Sequence, residues 1–75
     1  MYKMKNYEVE VRTKYEDKHR FNWILNACGA NNAESFATDI LAGMTHREIS
    51  GADCDDPIGY DLAMRMFKIK ARLIR

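Results

Sequence analysis

Residues 7–13, YEVEVRT, alternate between apolar and charged side chains, and this alternation restricts the fold more than any other feature of the chain. Successive side chains of a strand point to opposite faces, so a period of two with β-branched residues is typical of a half-buried strand. One face carries Tyr7, Val9, Val11 and Thr13, and the other carries Glu8, Glu10 and Arg12. The pattern predicts a sheet with one apolar side and one solvent-facing side.

A second alternating segment, RFNWILNAC at residues 20–28, follows the polar stretch at residues 15–19. Phe21, Trp23, Leu25 and Ala27 share one face, while Asn22, Ile24 and Asn26 share the other. The short polar spacer predicts a hairpin connection, so the two strands are expected to pair antiparallel. Trp23 is expected to anchor the core, because a large aromatic side chain on an apolar face is usually buried.

The segment ANNAESFATDILAGM, residues 30–44, has the periodicity of a helix. Its apolar residues fall three or four positions apart and form one stripe, consisting of Ala33, Phe36, Ala37, Ile40, Leu41 and Met44. Asn31 is expected to cap the helix with Glu34 as its capping-box partner, and Gly43 is expected to end it. The helix should pack on the apolar face of the sheet.

The remainder of the chain has weaker signals. Residues 45–61 contain two glycines and the only proline, which predicts a loop, with THREIS at residues 45–50 as a turn or a short extended piece. Residues 62–75 fit two patterns, since helical spacing and the alternation of FKIKARL at residues 67–73 are both present. The alternation is stricter, so a third strand is the preferred interpretation.

These elements predict one α+β domain over residues 1–75, a three-stranded antiparallel sheet with one helix on one face in the order β-β-α-β. The third strand is expected to pair with the first. Glu8 and Glu10 would then lie near Lys68, Lys70 and Arg72 on the solvent-facing side.

Charge is distributed unevenly along the chain. Residues 34–61 carry a net charge of −6 and residues 62–75 a net charge of +5, within a total of +1. Such segregation can pattern a surface for a partner, or the fold can bring the segments together so that they neutralise each other. The leading hypothesis is a non-catalytic binding protein that blocks or modulates a macromolecular target by charge matching, with a contact surface formed by Glu48, Asp53, Asp55, Asp56 and Asp61.

Metal and catalytic sites are disfavoured by spacing. No paired Cys or His ligands have zinc spacing, and a calcium loop beginning at Asp53 would have Pro57 at position 5 and Met64 at position 12. Neither Cys28 nor Cys54 lies in a nucleophile signature. Both are expected to be free thiols, because disulfides are rare in cytoplasmic proteins. The expectation is therefore a chain without metal, cofactor or enzymatic activity.

Two alternatives remain open. A small nucleic-acid-binding module would use the basic residues Arg65, Lys68, Lys70, Arg72 and Arg75, with Tyr2, Tyr15 and Tyr60 available for stacking on bases. A sequence pI of about 7.8 weighs against this alternative. A regulatory homodimer could instead form if an exposed edge strand pairs with its copy.

The stretches YEVEVR at residues 7–12, NACGANNAESFATDIL at residues 26–41 and FKIKARLI at residues 67–74 give a strand, helix and closing strand in a very short chain. In this pattern the chain resembles small phage-encoded proteins that disable host machinery, including inhibitors of bacterial RNA polymerase and of CRISPR–Cas effector complexes. The resemblance implies an inhibitor that binds a protein or ribonucleoprotein target. With no membrane span or signal peptide in the sequence, the expected location is cytoplasmic, which for a phage protein is the host cytoplasm.

Overall fold

A computed structural model describes residues 3–75 of the chain. It confirms the predicted α+β class, with a three-stranded antiparallel sheet in the order β2-β1-β3 and a helix packed on it. Two short helices accompany the predicted one. The elements are β1 (Lys5–Thr13), β2 (His19–Ala27), α1 (Ala30–Gly43), α2 (His46–Ser50), α3 (Tyr60–Met66) and β3 (Phe67–Leu73).

Strand β1 is central because β2 and β3 each form an antiparallel ladder with one of its two edges. Val9 lies opposite Trp23 of β2 and opposite Ala71 of β3, which confirms the predicted pairing of the first and third strands. The alternation of β1 buries every second side chain, and Val9 and Val11 are inaccessible to solvent. The buried apolar core comprises Tyr7, Val9, Val11, Ala27, Ala33, Ala37, Leu41, Ile49, Ile58, Ala63 and Phe67.

Helix α1 buries only part of the predicted apolar stripe. Ala33, Ala37 and Leu41 are fully buried, whereas Phe36 and Ile40 are 40% and 43% exposed. The buried face of α1 includes Thr38 on one side, and Phe36 and Ile40 lie on the opposite side of the helix, outside the contact with the sheet. The expectation that Phe36 and Ile40 belong to the buried face is therefore wrong.

The predicted N-terminal cap of α1 is also wrong. Gly29 occupies the cap position and no side chain caps the helix, while Asn31 lies inside the first turn. The Glu34 carboxylate instead accepts a hydrogen bond from the backbone N–H of Ala71 at 3.0 Å. This acidic side chain therefore joins α1 to β3. The predicted end of the helix at Gly43 is confirmed.

Residues 45–61 are more ordered than the predicted loop. Thr45 and Glu48 form a capping box that begins α2, and Gly51, with φ of 73°, ends it in the left-handed region. Ile58 is buried and its N–H donates to the Met44 carbonyl, so the segment folds back against the domain. The two patterns seen in residues 62–75 are both realised in succession, as α3 and then the predicted strand β3.

Candidate binding surfaces

Charged side chains pair across the solvent-facing side of the sheet. Arg72 donates to the Glu8 carboxylate at 2.6 Å, and Lys68 lies 2.8 Å from the Asp17 carboxylate, which also accepts from Arg12 at 3.0 Å. The expected neutralisation of basic β3 residues by acidic β1 residues is thus present for the Glu8–Arg72 pair.

Three other basic residues belong to the predicted nucleic-acid surface. Lys70 lies opposite Glu10 in the register of β1 and β3. Arg65 is in the last turn of α3, and Arg75 follows the end of β3. All five basic residues of the predicted nucleic-acid surface are exposed. They do not form one unpaired stripe along β3, because Lys68 and Arg72 are salt-bridged to acidic residues.

Exposed aromatic residues are not placed on the solvent-facing side of the strands. Tyr15 is 90% exposed in the hairpin turn and Tyr60 is 45% exposed at the start of α3, while Tyr2 lies outside the described residues. The aromatic residues of the three strands, Tyr7, Phe21, Trp23 and Phe67, occupy register positions of the opposite, core-facing side. This sheet face therefore lacks the aromatic platform on which single-stranded bases stack.

The paired carboxylates give folding a defined pH dependence. Hydrogen bonds from Arg72 and Asn22 lower the pKa of Glu8 below its ordinary 4.5, and hydrogen bonds from Lys68 and Arg12 lower the pKa of Asp17 below its ordinary 3.8. Because these carboxyl groups bind protons more readily in the unfolded chain, their contribution is complete above those ordinary values. It is lost as the pH falls through the depressed folded values.

We therefore expect the free energy of unfolding to decline below about pH 4.5, and Glu8→Gln to reduce this decline. Urea titrations at a series of pH values between about 6 and 2.5 measure the effect as a shift of the midpoint. Arg72→Gln removes the partner and should flatten the same part of the curve, and the double variant should add nothing further. A Glu8→Gln curve parallel to that of the wild type would contradict this expectation.

The predicted acidic surface is organised around a single cation, Arg47 of α2. Its guanidinium contacts the Asp53 carboxylate through Nη2 at 2.7 Å and the Asp55 carboxylate through Nε at 2.8 Å. Its backbone N–H also donates to the Cys54 carbonyl at 3.0 Å. Hydrogen bonds to Asp55 and Asp53 raise the pKa of Arg47 above its ordinary value. We refer to the two carboxylate contacts of Arg47 as the brace.

The other predicted contact acids are exposed around the same segment. Asp56 accepts at its main-chain oxygen from the His46 N–H, and its carboxylate lies 3.7 Å from the Cys54 thiol. Glu48 completes the capping box by accepting from the Thr45 N–H at 2.9 Å. Asp61 is separate from this group, in the first turn of α3. We refer to residues 45–58, with α2 and the loop that returns from it, as the acidic segment.

Both cysteines are free thiols, as predicted. Cys28 is exposed beyond the end of β2, and Cys54 is half-buried in the acidic segment. Within residues 3–75, no group of three or more Cys, His, Asp or Glu side chains is arranged to hold a metal ion.

The two edges of the sheet differ in a way that the sequence reasoning missed. The Ile74 N–H donates to the main-chain carbonyl of Asn6 in β1, so the even residues of β3 direct their main-chain groups toward β1. The odd residues of β3 direct their N–H groups to the outer edge of the sheet, where Glu34 accepts from Ala71. The opposite edge is β2. The even residues of β1 direct their main-chain N–H and C=O groups toward β3, so its odd residues direct theirs toward β2. These odd residues pair with odd residues of β2, and the even residues of β2 therefore direct their N–H and C=O groups outward. These outward groups belong to Asn22, Ile24 and Asn26.

None of the helices in the described part of the chain is long and apolar enough to cross a membrane. No protein-family model, curated protein or solved structure matches this chain.

Proposed function

We propose that this chain is a non-catalytic binding protein that blocks or modulates a macromolecular target through the acidic segment. The observation that supports the proposal is the contact of Arg47 with Asp53 and Asp55. An exposed salt bridge adds little stability, so this arrangement matters more for the shape of the loop than for its energy. A loop held in one conformation loses less entropy when it binds.

The charge of the segment defines the partner. Residues 45–58 contain four carboxylates and one guanidinium, so the braced surface remains negative. A negative surface is complementary to a basic groove on a protein or ribonucleoprotein, where it accelerates encounter and fixes orientation. In line with the resemblance to phage-encoded inhibitors, the target class is host machinery such as RNA polymerase or a CRISPR effector, and the mechanism is steric occlusion of its basic site.

The test compares two variants that lose the same charge. The first carries Asp53→Asn, Asp55→Asn and Asp56→Asn, and the control carries Glu10→Gln, Glu16→Gln and Asp39→Asn outside the acidic segment. Purified bacterial RNA polymerase and a CRISPR effector ribonucleoprotein serve as immobilised probes, followed by capture from host lysate with mass spectrometry. We expect the first variant to lose binding and the control to retain it. Equal recovery with both variants would overturn the proposal.

Arg47→Gln separates the shape of the acidic segment from its charge. The substitution makes the segment more negative but removes both contacts of the brace, so we expect binding to weaken about three- to tenfold, the equivalent of ordering one or two side chains. Arg47→Lys should be intermediate, because an ammonium group lacks the planar fork that reaches two carboxylates.

Interferometry against whichever probe binds the wild type measures the effect of both Arg47 variants. Tighter binding by Arg47→Gln would mean that charge alone drives recognition.

Nucleic-acid binding through Arg65, Lys68, Lys70, Arg72 and Arg75 is the alternative function. The pairing of Lys68 with Asp17 and of Arg72 with Glu8 reduces the charge available to phosphates. A gel-shift titration at low salt distinguishes the alternative from the proposal. Binding at micromolar protein that is lost in a Lys70→Gln and Arg75→Gln variant would favour it.

A further inference from the structure

We propose that the chain forms a two-fold symmetric dimer in which β2 pairs antiparallel with β2 of a second copy, with Ile24 at the symmetry axis. The inference concerns a different surface from the acidic segment and does not depend on the proposed function. It rests on an unprotected edge, on a self-complementary strand sequence and on the apolar side chains that border that edge.

Strand β2 lacks the devices with which proteins usually protect a sheet edge. Natural edges carry charged residues, proline, bulges or a covering element, because unpaired N–H and C=O groups otherwise recruit another strand. The β3 edge has Lys68 and Lys70 on the strand and the Glu34 carboxylate on its outward N–H. From residue 21 to residue 27, β2 has no charged residue and no proline. Its one register irregularity lies near the hairpin, opposite Val11 and Arg12.

The sequence of this edge matches its own antiparallel copy. When NWILN, residues 22–26, is paired about its central residue, Ile24 meets Ile24, each Asn22 meets an Asn26, and each Trp23 meets a Leu25. Amides thus lie opposite amides and apolar side chains opposite apolar ones, with no like charges in register. The outward main-chain groups of the two strands complete about six hydrogen bonds in this register. Beyond this stretch the outward N–H of Cys28 is already bound by the Asn32 side chain, so the free edge ends there.

Apolar side chains border the same seam on both faces of the sheet. Ile24 is 68% exposed on the solvent-facing side. On the helix side, Glu34 and Thr38 line the groove beside β3, so the helical periodicity places Phe36 and Ile40 on the flank of α1 toward β2. Both side chains are about two-fifths exposed, at 40% and 43%. A second copy across β2 would bring the matching flank of its own α1 to this side.

The amide side chains retain the capacity for this pairing. Asn22 donates one N–H toward Glu8, and Asn26 donates one toward Asn6. Each amide therefore keeps a second N–H and its carbonyl oxygen for the partner strand. The pairing adds hydrogen bonds at the seam without breaking those within the monomer.

Sedimentation velocity and light scattering on the full chain, from about 5 to 500 µM, test the dimer through its dependence on protomer concentration. We expect reversible dimerisation, and we expect Ile24→Lys to raise the dimer dissociation constant at least about tenfold by placing two ammonium groups opposite each other. Met64→Lys, at a 54% exposed site on α3, is the matched control and should leave the dimer unchanged. A wild-type chain that stays monomeric, or a dimer insensitive to Ile24→Lys, overturns the inference.

Cysteine crosslinking tests the register independently of any loss of folding. The experiment uses a background with Cys28→Ser and Cys54→Ser, so that only the introduced cysteines can react. Residues that lie opposite each other at the symmetry axis have Cα atoms about 5.5 Å apart, which is within disulfide reach. Ile24→Cys should therefore form a dimer on mild oxidation. Asn22→Cys should not, because its own copy lies four residues away along the strand, roughly 13 Å. Equal crosslinking at both positions, or none at residue 24, overturns the pairing about Ile24.

Discussion

Leu41→Ala is expected to lower the free energy of unfolding by about 2–5 kcal/mol, the range for emptying a fully buried leucine site. Leu41 is among the largest side chains that the solvent does not reach, together with Val9 and Val11. The neighbouring core positions of α1 are Ala33 and Ala37, which cannot extend to fill the space. A chain of 75 residues has a total stability of only about 4–11 kcal/mol, so this one change removes a large share of it.

The adjacent residue supplies the control for this prediction. Ile40 is 43% exposed on the same helix, so Ile40→Ala removes a similar side chain without opening a closed cavity. Urea titration followed by circular dichroism gives both values, provided the slope with denaturant is unchanged. Equal losses for the two variants would mean that α1 packs on the sheet in a different rotation from the one described.

The strands could be predicted because their alternation is local and survives into the tertiary structure. Tyr7, Val9 and Val11 share a face in the sequence and share the core in the fold. The same reasoning succeeded for β3, where FKIKARL alternates in the same way. It could not decide where α3 ends, because helical and strand spacing overlap in residues 62–75 and tertiary packing determines the boundary.

The errors in helix capping concern side chains that had a choice of partner. Glu34 had the spacing of a capping-box residue, but its carboxylate reaches an N–H of β3 that would otherwise be unpaired. Thr45 and Glu48 carried the same spacing and do form a capping box, and this signal was available in the sequence. Local rules predicted which groups can cap a helix, whereas the contacts of the folded chain decided which of them do.

The candidate surfaces were predictable in composition but not in geometry. Five exposed acids were expected as a contact surface, yet the role of Arg47 depends on the loop returning to α2, which no local pattern indicates. The exposure of the β2 edge depends on the order of the strands in the sheet, because another part of the chain could have covered the outer edge of either β2 or β3. The uncharged run from residue 21 to residue 33 was its only sequence signal.

In the proposed dimer, the two proposed surfaces act together. The Arg20 guanidinium donates to the Ile49 carbonyl at 2.8 Å, so α2 lies beside the start of β2. In a dimer centred on Ile24, Arg20 and its copy would lie eight residues apart along the seam, roughly 27 Å. The dimer would therefore present two acidic segments at a fixed spacing. A target with two basic sites at that spacing would be bound with avidity, whereas a single site would not distinguish monomer from dimer.

Glu34→Ala is expected to destabilise the domain by about 1–2 kcal/mol and to expose the second edge of the sheet. The lost acceptor leaves the Ala71 N–H unpaired, and the lower part of the range for an unsatisfied donor applies because Ala71 is half-buried. Glu34→Gln keeps an oxygen at the same place, so it should retain most of the stability. Denaturant titration of the two variants against the wild type measures the difference.

The same pair of variants shows whether Glu34 guards the β3 edge. With the Ala71 N–H uncovered, a strand of another molecule can pair at the β3 edge, while β2 remains open on the opposite side. A chain with two open edges can extend into fibres, whereas a chain with one closes as a dimer. We therefore expect light scattering to detect growing assemblies for Glu34→Ala and a limiting small species for Glu34→Gln. A limiting small species for both variants would show that the charges of Lys68 and Lys70 alone keep the β3 edge unpaired.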